Sequence, residues 1–260
     1  MNHIIPIKAF SDNYVWLLTD AEKKKGVVFD PGSAQPVLSY LKKSGIELCG
    51  IFITHHHMDH TGGINALLQR FNVPVYGGSQ DGIPGCTHPL GEGAVIKIAE
   101  IGLSLRVIDT PGHTRGHIVY FSEEGERPLL FSGDTLFLAG CGRIFEGTFE
   151  EMYESLLKLK ELPGNTLIYC AHEYTRSNLD FAAAVEPDNR DIMNRSKEVA
   201  ELNKKELPSV PGTIERDLAT NPFLRCHIKG VQKAAEKRAG RSLNKESDVF
   251  AVLREWKDSF

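Results

Sequence analysis

Cysteine is sparse in this chain and arranged for nothing covalent. Five residues (Cys49, Cys86, Cys141, Cys170, Cys226) are scattered over 260 positions, odd in number and without a Cys-x-x-Cys pair. That excludes a disulfide framework and fits reduced thiols in a reducing compartment. No apolar run approaches a membrane span, and the start Met1-Asn2-His3-Ile4-Ile5-Pro6 lacks the basic residues and long apolar core of a signal peptide. We therefore expect a cytoplasmic protein without a membrane partner. A basic excess is missing too: 30 Lys and Arg stand against 34 Asp and Glu, for a net charge of −4. With no basic stripe, nucleic acid is not expected as a partner. Internal repeats, low-complexity tracts and a Gly-x-Ser-x-Gly nucleophile elbow are also lacking. Hydrophobic content of 41% and charged content of 25% are those of an ordinary globular chain, large enough for one domain plus a smaller appendage.

What the chain does have is a concentration of histidine. Thr54-His55-His56-His57-Met58-Asp59-His60-Thr61-Gly62-Gly63 packs four imidazoles and a carboxylate into six residues, directly after the apolar run Gly50-Ile51-Phe52-Ile53. Such a run is costly to bury without a cation. His55 and His57 are two apart, so on a chain leaving a strand still extended both imidazoles point to one side, and His56 to the other. Asp59 and His60 follow where the chain turns toward a helix, on a neighbouring flank. Two ions suit this arrangement better than one.

Short strands are expected over residues 3 to 30, ending at Asp30-Pro31-Gly32, followed by a helix capped by Ser33 that runs to about Lys43 with Gly45 past its end. After the histidine run, Ile64, Leu67, Leu68 and Phe71 recur at helical spacing, which predicts one helix from Thr61 onward. Thr148-Phe149-Glu150-Glu151 is a capping box for a helix to about Leu162. Beyond His172 strand signals become sparse. Helices are expected over 175 to 185, 189 to 206, 229 to 239 and 247 to 258, with an extended, Pro-broken piece around Pro208 and Pro211. The domain boundary is placed at 173 to 174, giving 1–173 and 174–260.

The other strand-like runs share one property at their ends. Leu103 to Ile108 leads to Asp109-Thr110-Pro111-Gly112-His113, Pro128 to Phe131 leads to Ser132-Gly133-Asp134, and Thr166 to Cys170 leads to Ala171-His172-Glu173. Four strand ends that each deliver a His or Asp can converge on one cleft at the edge of a sheet. Neutral imidazoles and carboxylates suit zinc, iron or manganese. Assigning the first ion to His55, His57, His113 and Asp134, and the second to Asp59, His60, His172 and the same Asp134, leaves a bridging water that should deprotonate near neutral pH and act as nucleophile. Asp59 and Asp134 are thus the expected catalytic carboxylates, both as ligands.

The His-x-His-x-Asp-His run followed by His113, Asp134 and His172 resembles the metallo-β-lactamase superfamily. Pro111-Gly112-His113-Thr114, Gly133-Asp134-Thr135-Leu136-Phe137, Gly140-Cys141-Gly142-Arg143, Cys170-Ala171-His172-Glu173-Tyr174 and the ending Leu253-Arg254-Glu255-Trp256-Lys257-Asp258-Ser259-Phe260 are similar to glyoxalase II, the hydroxyacylglutathione hydrolases. The resemblance implies an α/β fold, an αββα sandwich followed by a small helical domain. It implies two divalent ions, zinc foremost, and hydrolysis of a glutathione thioester of a 2-hydroxy acid such as D-lactate, in methylglyoxal detoxification. By the same resemblance Arg143, Tyr174, Arg254 and Lys257 contact glutathione, the last two being spaced i, i+3 so that both can reach one ligand. Arg143 stands where other members carry Lys, and Phe145 where some carry Tyr, so one hydroxyl contact is missing.

Other residues carry blander expectations. His56 has a packing or supporting role; His3, His88, His117 and His227 are not ligands. Asp30 either orients a ligand imidazole or serves only its turn. Cys141 is a small loop residue with no base beside it. A monomer is expected. The competing functions are another hydrolase or an iron persulfide dioxygenase on the same scaffold, or a non-enzymatic metal-binding or nucleic-acid-processing module.

Overall fold

Strands that carry apolar residues at successive positions have to be covered on both faces, and this chain meets that demand with two stacked sheets and helices outside them. The computed structural model describes residues 2–260. The first sheet holds β1 (His3–Ala9), β2 (Asn13–Thr19), β3 (Lys25–Phe29), β4 (Glu47–Phe52), β5 (Val75–Gly78) and β6 (His88–Leu90), in that order. The second runs from β7 (Val95–Ile98) through β8 (Leu103–Asp109), β9 (Ile118–Ser122), β10 (Leu129–Gly133) and β13 (Leu167–Cys170) to β14 (Gly212–Thr213). A small hairpin, β11 (Leu136–Phe137) with β12 (Gly140–Cys141), stands apart from both.

Between the sheets the core is largely aromatic. Phe29 lies flat on Phe131 with ring centroids 3.7 Å apart, Phe52 meets Tyr120 edge-on at 5.3 Å, and Trp16 meets Tyr169 at 5.0 Å. The Trp16 indole also donates to the carbonyl of Cys170 (2.9 Å), which ties the two sheets at the end where the site lies. Outside the first sheet, Val37 and Leu41 of α1 (Ala34–Ser44) and Ile64 and Leu67 of α3 (Ile64–Leu68) cover Leu17, Val28, Ile51 and Ile53. Outside the second, α4 (Phe149–Lys160) buries Met152, Leu156 and Leu159, and its capping box is formed by Thr148 and Glu151 as the sequence predicts. The layers are αββα.

Four features depart from the expectation. The segment after the histidines is not one helix: α2 (Met58–Thr61) stops at Gly62-Gly63 before α3 begins. The cause is close packing, since a Cβ on Gly63 would lie 2.3 Å from the carbonyl of Pro31. Ser33 is the N-cap residue of α1 but its side chain makes no capping hydrogen bond. The stretch around Pro211 leads into β14, which pairs antiparallel with β13, and then into α7 (Ile214–Thr220), capped by the Thr213 hydroxyl. The C-terminal segment also contains α5 (Thr175–Val185), α6 (Arg190–Lys204), α8 (Lys229–Ala239) and α9 (Glu246–Asp258). Its Phe181, Phe223, Phe250 and Leu253 belong to the same continuous apolar cluster as Trp16, Phe131 and Tyr169. The helices extend the core of the sandwich.

Candidate metal centre

Parallel pairing fixes where the site lies. β3 runs parallel to β4, and β10 to β13, so the residues just past their carboxyl ends share one edge of the molecule. His55, Asp134 and His172 are delivered there by β4, β10 and β13, and His113 by the loop after β8. His57 precedes α2, while Asp59 and His60 lie in its first turn.

These side chains form two clusters that meet at one carboxylate. In the first, His57 Nδ1 lies 3.1 Å from His55 Nε2 and 3.0 Å from His113 Nε2, and His113 Nε2 lies 3.5 Å from Asp134 Oδ2. In the second, Asp59 Oδ2 is 3.4 Å from His60 Nε2 and 3.5 Å from His172 Nε2, and Asp134 Oδ1 is 3.6 Å and 3.4 Å from the same two nitrogens. Asp134 thus turns one oxygen to each group. Tetrahedral neighbours around an ion with ligands at about 2.0–2.1 Å stand roughly 3.3 Å apart, close to these separations. Two further observations fit cations here. His60 Nε2 and Asp134 Oδ1 are buried without a hydrogen-bond partner in the protein, a costly state that a metal ion would relieve. Among the described residues, the sets His55, His57, His113 and Asp59, His60, His172 each gather three ligand atoms within 4.8 Å.

The far side of most of these imidazoles meets a polar group. Thr54 Oγ1 lies 3.1 Å from His55 Nδ1 and donates its own proton to Asp30 Oδ2 (2.8 Å), so it accepts from the imidazole. His113 Nδ1 donates to the carbonyl of Arg143 (2.7 Å), and His172 Nδ1 to Asp12 Oδ1 (2.8 Å). Asp30 Oδ2 also stands 3.2 Å from His60 Nδ1. The contacts at His55, His113 and His172 place a proton on the outer nitrogen and leave the inner lone pair free, whereas His60 Nδ1 faces Asp30 without the geometry of a hydrogen bond. Asp30, with a backbone φ of 51°, therefore does more than make a turn: it accepts from the backbone and hydroxyl of Thr54 and faces His60.

Electrostatics follows burial and crowding. Burial, reinforced by the neighbouring imidazoles of His60, His117 and His113, holds His55 well below the usual imidazole range. Burial would push Asp134 up, but His60, His172 and His113 together hold it below the ordinary carboxylate range. His60 is lifted well above its ordinary value because the carboxylates of Asp134 and Asp30 outweigh its burial.

Of the remaining histidines, His117 stacks on His55 at 5.0 Å but spends both nitrogens elsewhere: Nε2 accepts from the Asp134 amide (3.1 Å) and Nδ1 faces Thr110 and Thr135. His56 points away from the cluster, its ring between Asp81 (3.1 Å) and Glu146 (3.2 Å). Sequence reasoning did not single out Asp12 and Asn13. Asn13 donates to Asp59 Oδ2 (3.0 Å) and bridges to the backbone of His172.

The clusters floor a cleft of about 650 Å³, whose other wall comes from the helical segment. Phe145 is exposed and meets His57 and His113 edge-on, and Tyr174 stacks on His172 at 4.8 Å and 7°. Burial, with Asp12, Asp134 and Asp59 nearby, pushes the Tyr174 hydroxyl up to about 12. Arg143 is largely exposed beside Asp258 (3.5 Å). Lys257 donates to the carbonyl of Ser177 (3.1 Å) at the rim. Arg254 also lines the cleft but is 4% exposed and donates to the carbonyl of Cys141 (2.7 Å) and to Asp258 (3.1 Å). Burial pushes the Cys141 thiol up to about 11 against the pull of Arg254, so it is no thiolate nucleophile.

Residues 10–172 match the family model for the metallo-beta-lactamase superfamily, and residues 173–260 that for the hydroxyacylglutathione hydrolase C-terminus. Hydroxyacylglutathione hydrolases of Nitrosomonas europaea and Alkalilimnicola ehrlichii are 44% and 48% identical to the chain, covering 100% and 99% of it and 97% and 99% of their own lengths. Among solved structures, ETHE1 from Myxococcus xanthus superposes with a TM-score of 0.66 at 22% identity, covering 98% of this chain and 91% of that one, which speaks to the fold alone. On the two matched regions and the full-length similarity, the chain belongs to the hydroxyacylglutathione hydrolases of the metallo-β-lactamase superfamily.

Proposed function

We propose that this protein hydrolyses S-(2-hydroxyacyl)glutathione thioesters, with S-D-lactoylglutathione as substrate, to glutathione and the free hydroxy acid, D-lactate. The observation that carries the reading is the pair of ligand clusters joined through Asp134 on the floor of a cleft walled by the helical segment. His55, His57, His113 and Asp134 would hold one divalent cation, and Asp59, His60, His172 and Asp134 the other. We take zinc as the ion, with iron and manganese accepted by the same donors. Such a pair supplies a Lewis acid for the thioester carbonyl and lowers the pKa of bound water toward neutrality.

The chain's own residues supply orientation and recognition. Asp12, Thr54 and the Arg143 carbonyl fix the inner nitrogens of His172, His55 and His113 as acceptors, Asp30 supports Thr54 and faces His60, and Asn13 holds Asp59 by its Oδ2. Asp59 serves as a ligand and not as a proton carrier, because imidazole and amide neighbours favour its ionised form over the opposing effect of burial. Arg143, Lys257 and Arg254 place positive charge along the wall facing the floor, suited to the two carboxylates of glutathione, and Tyr174 offers a neutral hydroxyl beside them. The departing thiolate needs no strong general acid. Within this reading 1–173 carries the chemistry and 174–260 the grip on glutathione, in a single cytoplasmic chain. The Asp59, His60, His172 cluster favours hydrolysis over a one-iron dioxygenase.

The test follows loss of thioester absorbance for S-D-lactoylglutathione, with and without a chelator, beside a β-lactam, a lactone and a persulfide. We expect chelator-sensitive turnover of the thioester alone. Turnover that survives complete metal removal, or its absence from the metal-loaded protein, rejects the proposal.

A further inference from the structure

The hairpin that follows Asp134 is held by side chains from the helical segment. Asn178 on α5 donates to the carbonyl of Leu138 (3.1 Å), and Asp217 on α7 accepts from the amide of Ala139 at 3.2 Å to each oxygen. Asn221, just past α7, donates to the carbonyls of Gly140 (2.9 Å) and Phe137 (3.4 Å) and to Asp217 Oδ2 (2.9 Å). Arg254 on α9 completes the set at the carbonyl of Cys141. All four side chains are at most 5% exposed. Arg254 Nε is the one atom of these groups left buried without a partner among the described residues; the other contacts stabilise only while the hairpin backbone stays where it is, so the arrangement favours one hairpin position.

That position is coupled to Asp134 over very short distances. The amide of Gly142 donates to the carbonyl of Thr135 (3.2 Å), and Ser132 donates to the carbonyl of Leu136 (2.7 Å). A Cβ on Gly142 would lie 1.9 Å from the carbonyl oxygen of Asp134, and one on Gly140 would lie 2.4 Å from Asn178 Nδ2. The hairpin cannot slide without carrying Asp134 with it.

We infer that Asn178, Asp217 and Asn221, with Arg254, form a polar socket that positions the Asp134 carboxylate between the two ligand clusters, so that the helical segment governs metal retention as well as one wall of the cleft. These are positioning residues, acting through the hairpin. The inference rests on the reading of Asp134 as the shared ligand.

Asn221→Ser is the first variant, because serine can still cap the turn at Phe223, whose amide Asn221 now accepts (3.1 Å), but cannot reach the hairpin carbonyls. Asn178→Ala is the second, should Asn221→Ser fail to fold. Loaded with zinc and challenged with excess chromogenic chelator, both should release metal about 10- to 100-fold faster than the parent, the usual range for losing a supporting partner. In Asn221→Ser, kcat should fall in step while KM moves by less than about threefold. Parental chelator kinetics in folded variants, with only the unfolding midpoint lowered, overturns the socket. Asp134→Ala is the reference. If it retains two zinc ions, the shared-ligand reading fails; if it loses zinc while the socket variants keep theirs, only the socket fails.

Discussion

Asp217 shows how one buried side chain can make stability depend on pH. Burial pushes its carboxyl up to about 7, although Asn221, Ala139, Arg195 and Arg216 pull the other way. Its folded value therefore lies above the unfolded value of 3.8. A group shifted in this direction favours the fold most below about pH 4. That contribution is lost as pH rises to about 7 and stays lost above. Asp217→Asn carries no such charge. Its stability relative to the parent should rise between pH 4 and 7 by on the order of 3 kcal/mol, as read from denaturant unfolding at a series of pH values. A difference that stays constant from pH 4 to 8 would show that Asp217 is ionised throughout. At this same scale the His and Asp residues that cluster were legible in the sequence, because such residues past the ends of apolar strands are unusual enough to stand out. Asp12 and Asn13 were not, since a turn explains them locally and their partners His172 and Asp59 are supplied by other parts of the chain. Arg254, expected by resemblance to contact glutathione, is buried against a loop 113 residues earlier, which its position in the sequence does not disclose.

Among elements, the Asp30-Pro31-Gly32 loop and α2 are pressed together at the backbone. A Cβ on Gly32 would lie 1.7 Å from the carbonyl oxygen of Asp59. Neither partner is a side-chain tip that could swing aside, so Gly32→Ala must displace α2 and with it Asp59 and His60. We expect it to lower stability by about 1–3 kcal/mol and to lose metal-dependent activity to a greater degree than that loss of stability explains. Parental activity in the folded variant would show that α2 tolerates the shift. The same loop meets the break in the helix after the histidine run, where the amide of Gly63 donates to the carbonyl of Pro31 (2.9 Å). The helical period of Ile64, Leu67, Leu68 and Phe71 starts only past Gly62-Gly63, so it carries no sign of how the preceding turn ends. α7 was hidden for a related reason, being short and close to two prolines, and its start is set by β14 pairing with β13.

For the whole molecule, the border between the two family-matched regions, at residues 172 and 173, does not separate two cores. Phe181, Phe223, Phe250 and Leu253 are buried in the cluster that also holds Trp16 and Phe131. Fully burying each such side chain is worth about 1.5–3 kcal/mol. Their combined loss is comparable with the roughly 5–15 kcal/mol that keeps a domain folded. A fragment of residues 1–173 should therefore lack a cooperative unfolding transition and native near-ultraviolet dichroism; a fragment with both would show that the sandwich is self-sufficient. The sandwich and the helical tail could each be anticipated from periodicity, whereas their shared interior could not, because apolar residues on a helix do not say which surface they will meet.

The pairing of Asn13 with His172 gives the site a place in time. Chains emerge from the ribosome at about 5–20 residues per second. The 199 residues separating His55 from Arg254 therefore correspond to roughly 10–40 s of synthesis. The strand that delivers His172 follows partway through that interval, and the helices that grip the hairpin come after it, the last of them at its end. The nascent chain therefore exposes His55 and His57 before all the residues they cluster with have been made.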